Sequence, residues 1–399
     1  TPLYSSAASD VYKRQNEGID ISGTATVDAT NNFSNGTFSG INTAGSGGPF
    51  RYINFTSTST SPATDIANVN FNHGTTPVIG QHFNVARPSG SSIINFTGDI
   101  SGSLGSAAFE SDPGNTINWP AITSATWTGA VSTDWFTAGN WSTALVPNAN
   151  TNVTIPSATN NPIINATATC RDLTITTGLL QLSSAATLNV MGSVVIGNLT
   201  NAGSLIAGSS GVTINVSRNW TRGANGLFSA GNSTVNFNGA SGSYIVTPTS
   251  SSFFNLGFIG DASYQLAGAT ITVSNNLSLT AGTLTFATAN YNLNIGGNFN
   301  RTAGTFSTAV TGTTLFNGTT QNITGGTFSN LTLSGSGVKT ATNDMTVAGN
   351  LVVLSNLTAA SGAAFTFNGT VSINSGATFN GGNSVHTANG TSWTGTGSY

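Results

Sequence analysis

Residues 330–351, NLTLSGSGVKTATNDMTVAGNL, decide how this chain is read, because the sequence keeps returning to their design. Residues 255–277, NLGFIGDASYQLAGATITVSNNL, repeat it, and 172–194 form a looser copy. Each copy opens on a polar residue and a leucine: Asp172-Leu173, Asn255-Leu256, Asn330-Leu331. About fifteen residues later each reaches a second apolar-alternating stretch: Leu188 to Val194, Ile271 to Leu277, Met345 to Leu351. Self-similarity at a long, nearly fixed spacing is the signature of stacked repeats.

A longer period lies over this one. Residues 216–239 match 295–318 at an offset of 78 or 79, aligning Trp220 with Phe299, Arg222 with Arg301, and Phe237-Asn238-Gly239 with Phe316-Asn317-Gly318. The Asn-Leu openings at 255 and 330 are 75 apart. A period of 75–79 residues fits three or four coils of about 20–25 residues each.

Only 5% of the 399 residues are charged, against roughly 25% in an average soluble domain. Gly, Ser, Thr and Asn stand where helix-forming Glu and Lys would be needed, while Thr, Val, Ile and Phe suit a pleated surface. The chain reads as all-β. With 38% hydrophobic residues, 22 Phe and a net charge of −3, it lacks the low hydrophobicity and high charge of disordered chains. No basic patch points to nucleic acid, and no apolar run reaches the roughly 18 residues of a membrane-spanning helix. The single Cys170 excludes an intrachain disulfide.

Residues 1–16 stand apart. Ser6 to Gln15 resembles translated adapter read-through and is set aside as a non-native or disordered tail. From 17 to 118 the pattern is apolar-Asn-apolar, at Ile53-Asn54-Phe55, Val69-Asn70-Phe71 and Ile94-Asn95-Phe96. Alternation at period two puts the apolar pair on one face and Asn on the other. The same triplet returns at 188–190, 214–216, 235–237 and 293–295. Residues 119–170 form a Trp-rich cap or linker, with four of the six Trp between Trp119 and Trp141. Residues 171–399 are the repeat region, of roughly ten coils.

A short strand with one apolar face cannot bury that face alone. Coiling the chain stacks each strand on its equivalent one turn below and makes a continuous interior column. The expected fold is a right-handed parallel β-helix, in two consecutive segments joined by the Trp-rich cap. A β-sandwich array competes, most of all over 17–118, but fits the repeated 14–15-residue spacing poorly.

The residues offer little chemistry. Residues 200–399 hold only Asp261, Asp344, Arg218, Arg222, Arg301, Lys339 and His386 as ionisable side chains of those types, so no catalytic constellation is expected and no cofactor is implied. Asp261 and Asp344 fall several coils apart. Glu110, Asp112 and Asp134 are the densest acidic group and the only calcium candidates, yet a turn with solvated acids accounts for them as well. His73 and His82 lack neighbours that would make a metal site. Trp127, Trp135 and Trp141 follow neither helix nor strand period, and read either as a packed cap or as a sugar-stacking platform. Arg222 and Arg301 are expected to lie over the aromatic at 220 or 299. Thr-x-Thr pairs at 24/26, 174/176 and 283/285 do not recur coil after coil, as an ice-binding face requires.

At the Trp segment the chain resembles a known family. Trp127-Thr128-Gly129, Asp134-Trp135, Asn140-Trp141, Pro147 and Val153-Thr154-Ile155-Pro156 are similar to an element of large secreted, adhesin-like β-solenoid repeat proteins of the Bacteroidota. The later Phe-Asn-Gly, Asn-Leu-Thr-Leu and Thr-Val-x-Gly-Asn-Leu strings resemble the repeats that follow it there, and 108–119 resembles the segment before it. The resemblance implies a non-catalytic, adhesive part of a longer bacterial protein, secreted by the type IX route or held at the cell surface. Surface polysaccharide or other cell-surface molecules are its implied partners. The alternative is a carbohydrate-binding or carbohydrate-active β-helix that uses the clustered Trp. Both ends of the chain read as cut.

Overall fold

The computed structural model describes residues 17–21, 32–39, 50–55, 65–72, 80–87, 93–97, 100, 104–105, 107–119, 123–268, 270–287, 292–307, 311–390 and 392–399. Residues 1–16, set aside above, His73 and the pair 24/26 lie outside them. The chain divides into two units, 1–123 with 147–151, and 124–146 with 152–399. The described residues are all-β apart from two single 3-10 turns, at Ala107–Phe109 and Ala138–Asn140.

The larger unit is a β-solenoid whose coils carry strands on three faces. On the first face, strands such as Thr151–Ile155, Leu173–Ile175, Val194–Ile196 and Trp220–Arg222 stack in order. The second face holds Ile163–Ile164 through Leu227–Ser229, then resumes at Thr270–Val273. The third is an unbroken 11-stranded sheet from Thr167–Cys170 to Phe379–Asn380. Pairing from coil to coil is parallel and in register, as in Leu188 beside Ile214 and Ile214 beside Val235. Ten of the third-face strands follow residue 171, in agreement with the spacing argument.

The decisive stretch is one turn that closes on itself. Asn330–Leu333, Val338–Ala341 and Met345–Val347 occupy the three faces, and Leu331 then pairs with Leu351. Leu256 pairs with Leu277 and Leu173 with Val194 in the same way. All six side chains are fully buried. The middle strand of the turn escaped the sequence pattern because Lys339 and Ala341 are its inward residues.

The three leading leucines nevertheless stand on different faces. Leu173 is on the first, Leu256 on the third and Leu331 on the second. Counting Phe253, which bridges to Val273 where a strand is missing, eleven strand positions separate each from the next. At three positions per turn, eleven is three turns and two further sides. The long sequence period therefore counts strands and corners, not whole turns. A period-two pattern fixes which side chains point inward but leaves every face of the prism equally suitable.

Corners are where backbones approach most closely. A Cβ added at Gly203 would lie 2.1 Å from the Ile175 carbonyl of the coil below. The Phe-Asn-Gly corners need polar partners on the inside, since buried backbone groups must be paired. Tyr264 Oη accepts from the Gly239 N–H at 2.8 Å and donates to the Ser217 carbonyl at 3.0 Å. At the matching corner Gln321 Oε1 accepts from Gly318 N–H at 2.9 Å, and Gln321 Nε2 donates to Ile295 O at 2.9 Å and to Gly297 O. One coil on, the buried Lys339 Nζ donates to Gly318 O at 2.8 Å, Thr319 O at 2.6 Å and Ser336 O at 3.1 Å.

The smaller unit is also a stack of parallel strands. Glu17–Ile21, Phe50–Phe55, His82–Ala86 and Glu110–Ser111 form one sheet; Asp65–Ala67, Ile94–Thr97 and Ile117–Asn118 form a second. Among the described residues of this unit the strand pairings are parallel, as stacked coils require and an antiparallel sandwich does not. The apolar members of the triplets are buried as expected; Asn54, at 6% exposure, is buried with them. Trp119 stacks on Phe96 with ring centroids 4.6 Å apart and packs on this unit's core, so it does not belong to the Trp cap.

Candidate functional site

Residues 124–146 make a layer over the first coil of the larger unit. Trp127 N–H donates to Thr154 O at 2.9 Å, Trp135 N–H to Ile163 O at 3.2 Å, and Ile163 N–H to Thr133 O at 2.7 Å. The layer thus takes up edge groups that would otherwise invite another chain. Asn140, fully buried, organises it. Its Oδ1 accepts from Val131 and Ser132 N–H at 2.9 and 2.8 Å, and its Nδ2 donates to the Asp134 carbonyl at 2.8 Å.

Trp127, Trp135 and Trp141 meet edge to face, with centroids 4.9 Å apart for 127–141 and 4.7 Å for 135–141. Their exposures are 1%, 0% and 3%. An indole covered on both faces offers no platform for a sugar, which corrects the stacking alternative. Trp127 Nε1 donates to Asn160 O at 2.7 Å and Trp141 Nε1 to Trp135 O at 2.8 Å. The cluster is a packed cap.

The acidic residues are engaged in turns. Asp134 Oδ1 accepts from Phe136 N–H at 3.2 Å and Oδ2 from Thr137 Oγ1 at 2.9 Å, ahead of the 3-10 turn. Asp112 accepts from the N–H groups of Thr116 and of Ile117, the latter at 2.7 Å. Glu110 accepts from Trp119 Nε1. Burial raises the Glu110 carboxyl above its ordinary range, opposed by that bond and aided by the charge of Asp112. Among the described residues no three of His, Cys, Asp and Glu come together as a metal site would need.

Nucleophiles fare no better. Cys170 is fully buried, and burial, with the charge of Asp172 adding to it, pushes its thiol far up, away from the reactive thiolate. Ser384 Oγ lies 2.7 Å from His386 Nε2, a contact the sequence reading did not single out. Ser384 Oγ also contacts the Gly381 carbonyl, and His386 Nδ1 contacts Tyr399 Oη, an exposed residue. Asp261 and Asp344 stand on different coils, Asp344 Oδ1 accepting from Ala364 N–H at 2.8 Å. Arg222 Nη1 donates to Ser250 Oγ at 3.0 Å and Arg301 Nη1 to Gly304 O at 3.2 Å.

What the stacking does assemble is an ordered outer face. On the third face Thr167, Thr187, Thr213 and Thr234 form one outward column, and Thr169, Asn189, Asn215 and Asn236 another. Asn215 Nδ2 donates to Asn189 Oδ1 at 2.8 Å and Asn236 Nδ2 to Asn215 Oδ1 at 3.1 Å. Parallel strands set the rows about 4.8 Å apart and the columns about 6.6 Å apart. Sequence alone marked the Asn triplets, but not that three of them fall on one another.

No helix among the described residues is long and apolar enough to cross a membrane. No curated protein and no solved structure matches the chain. A family match begins one residue before Trp127 and so takes in the cap together with the coils it covers. Across residues 126–352, more than half its length, the chain belongs to the family described as Domain of unknown function (DUF8693).

Proposed function

We propose that this chain is a non-catalytic structural and adhesive segment of a secreted or surface-borne bacterial protein, and that its outward Thr/Asn face holds an ordered, uncharged polysaccharide. The observation that carries this reading is the register of that face. Four successive coils present hydroxyl and amide groups at the same two outward positions, with no charged side chain among them. The ladder bonds hold the amides before any ligand arrives, which lowers the ordering cost of binding. Individual contacts of this kind are weak, so affinity comes from many repeated along one ordered surface.

The resemblance to adhesin-like solenoid proteins supports the same reading, as does the scarcity of converging titratable groups. Co-sedimentation with cellulose and chitin tests it. Wild type is expected to pellet with at least one of them, and Thr213→Asp with Asn215→Asp, which charges the centre of the face, is expected to release it. Binding that survives both substitutions, or no binding to either polymer, would overturn the proposal.

A further inference from the structure

We propose that the groove over Arg222 binds an oxyanion, the sulfate ester or carboxylate of an acidic polysaccharide. The groove exists because the second face is interrupted. Its sheet ends at Leu227–Ser229 and resumes at Thr270–Val273. The coil between leaves only Phe253 on that face, bridged to Val273. There the chain opens a groove of about 660 Å³ lined by Thr247, Thr249, Ser250, Ser251, Thr270 and Thr272, along with Gly268. Six hydroxyls and no carboxylate line it.

Behind the groove is a charge without a counterion. Arg222 follows Ile175 and Ile196 in an inward column and is 9% exposed. Its Nη1 donates to Ser250 Oγ, and its Nε is buried without a hydrogen-bond partner. Among the described residues no carboxylate pairs with it. A buried guanidinium is costly unless an anion compensates it.

The loop turns that charge toward the groove. Ser250 Oγ accepts from Arg222, so its own O–H remains to donate outward, strengthened by the cation behind it. Thr249 Oγ1 donates to the Arg222 carbonyl, which holds Thr249 at φ 52°. A β-branched residue in the left-handed region is strained, and such strain gathers at ligand sites. The surroundings do not oppose an anion: the larger unit carries Asp134, Asp172, Asp261 and Asp344 against Arg171, Arg218, Arg222, Arg301 and Lys339.

Arg301 is a built-in control. It occupies the matching position of the long repeat and, like Arg222, has a buried Nε without a hydrogen-bond partner, but its Nη1 donates to the Gly304 carbonyl and not to a hydroxyl that lines the groove. This inference does not depend on the Thr/Asn face, which the variants below leave intact. The test is calorimetric titration of the full chain with inorganic sulfate, dextran sulfate, polygalacturonate and neutral dextran. At least one of the anionic probes should bind and neutral dextran should not, and about 0.5 M salt should weaken binding. Arg222→Gln and Ser250→Asp should each weaken it about ten-fold or more, and Arg301→Gln less than about two-fold. Ser250 is exposed, so its substitution keeps the test valid should Arg222→Gln fail to fold. Equal losses at Arg222 and Arg301, equal binding of neutral dextran, undiminished binding in Ser250→Asp, or no binding of any anionic probe would each overturn it.

Discussion

Trp135→Ala would remove the centre of the cap, and the structure sets the size of the effect. The side chain is fully buried and meets Trp141 at 4.7 Å with an interplanar angle of 77°. Large-to-Ala changes at such aromatic sites cost about 3–5 kcal/mol, of which the ring pair itself accounts for about 0.5–1.5. At about 2–4 °C per kcal/mol for a domain of 150–250 residues, the melting temperature should fall by roughly 10 °C. The indole nitrogens sharpen the test. Trp135 Nε1 has no hydrogen-bond partner, whereas Trp141 Nε1 donates to the Trp135 carbonyl. Trp141→Phe leaves that buried carbonyl short of a partner and should cost about 1–3 kcal/mol more than Trp135→Phe. Thermal melts followed by circular dichroism and by tryptophan fluorescence measure both, the second probe reporting whether the cap opens before the coils. A Trp135→Ala protein melting within about 2 °C of wild type would refute the assignment of these residues as a load-carrying cap.

Lys339 predicts an alkaline signature. Burial lowers its pKa from the ordinary 10.5, so on raising the pH the folded protein sheds this proton before the unfolded chain does, and stability rises toward 10.5. Tyr264 and Cys170, both raised by burial, act in the opposite sense above about pH 10 and about pH 9, so it is the difference between wild-type and Lys339→Met urea midpoints at about pH 7, 8.5 and 9.5 that isolates the lysine. Lys339→Met should be less stable at neutral pH, because three carbonyls lose their donor, and should lack the alkaline gain; parallel pH profiles would count against this. Gly203→Ala sets a Cβ 2.1 Å from Ile175 O and should destabilise by about 1–3 kcal/mol or more. Gly376, at φ +80° with nothing within 4 Å of an added Cβ, should accept Asn within about 0.5 kcal/mol, since Asn tolerates the left-handed region. A denaturation series on the pair separates close approach from backbone conformation.

Much of this was legible in the residues. Alternation in Leu188-Asn189-Val190 and its kin states which side chains face inward, because strand geometry alone ties odd and even positions to opposite sides. The scarcity of charge and the Asn and Gly corners point to stacked coils, and buried Leu173, Leu256 and Leu331 agree with that. The Trp-rich segment was recognisable as a cap or a platform, but only burial of all three indoles chooses between them.

The rest was settled by stacking. No local pattern says which of three equivalent faces a strand will take, so the long repeat advances by eleven positions and lands its copies on different sides. Lys339 looks like a surface residue in Val-Lys-Thr-Ala; it lies inside because the corner carbonyls of the neighbouring coil need its ammonium there. Arg222 and Ser250 are 28 residues apart in sequence and meet only because one turn of the solenoid falls on the next. The sequence by itself determined inside and outside, through local geometry. Which groups become neighbours was decided by coil length and register, which only the assembled stack contains.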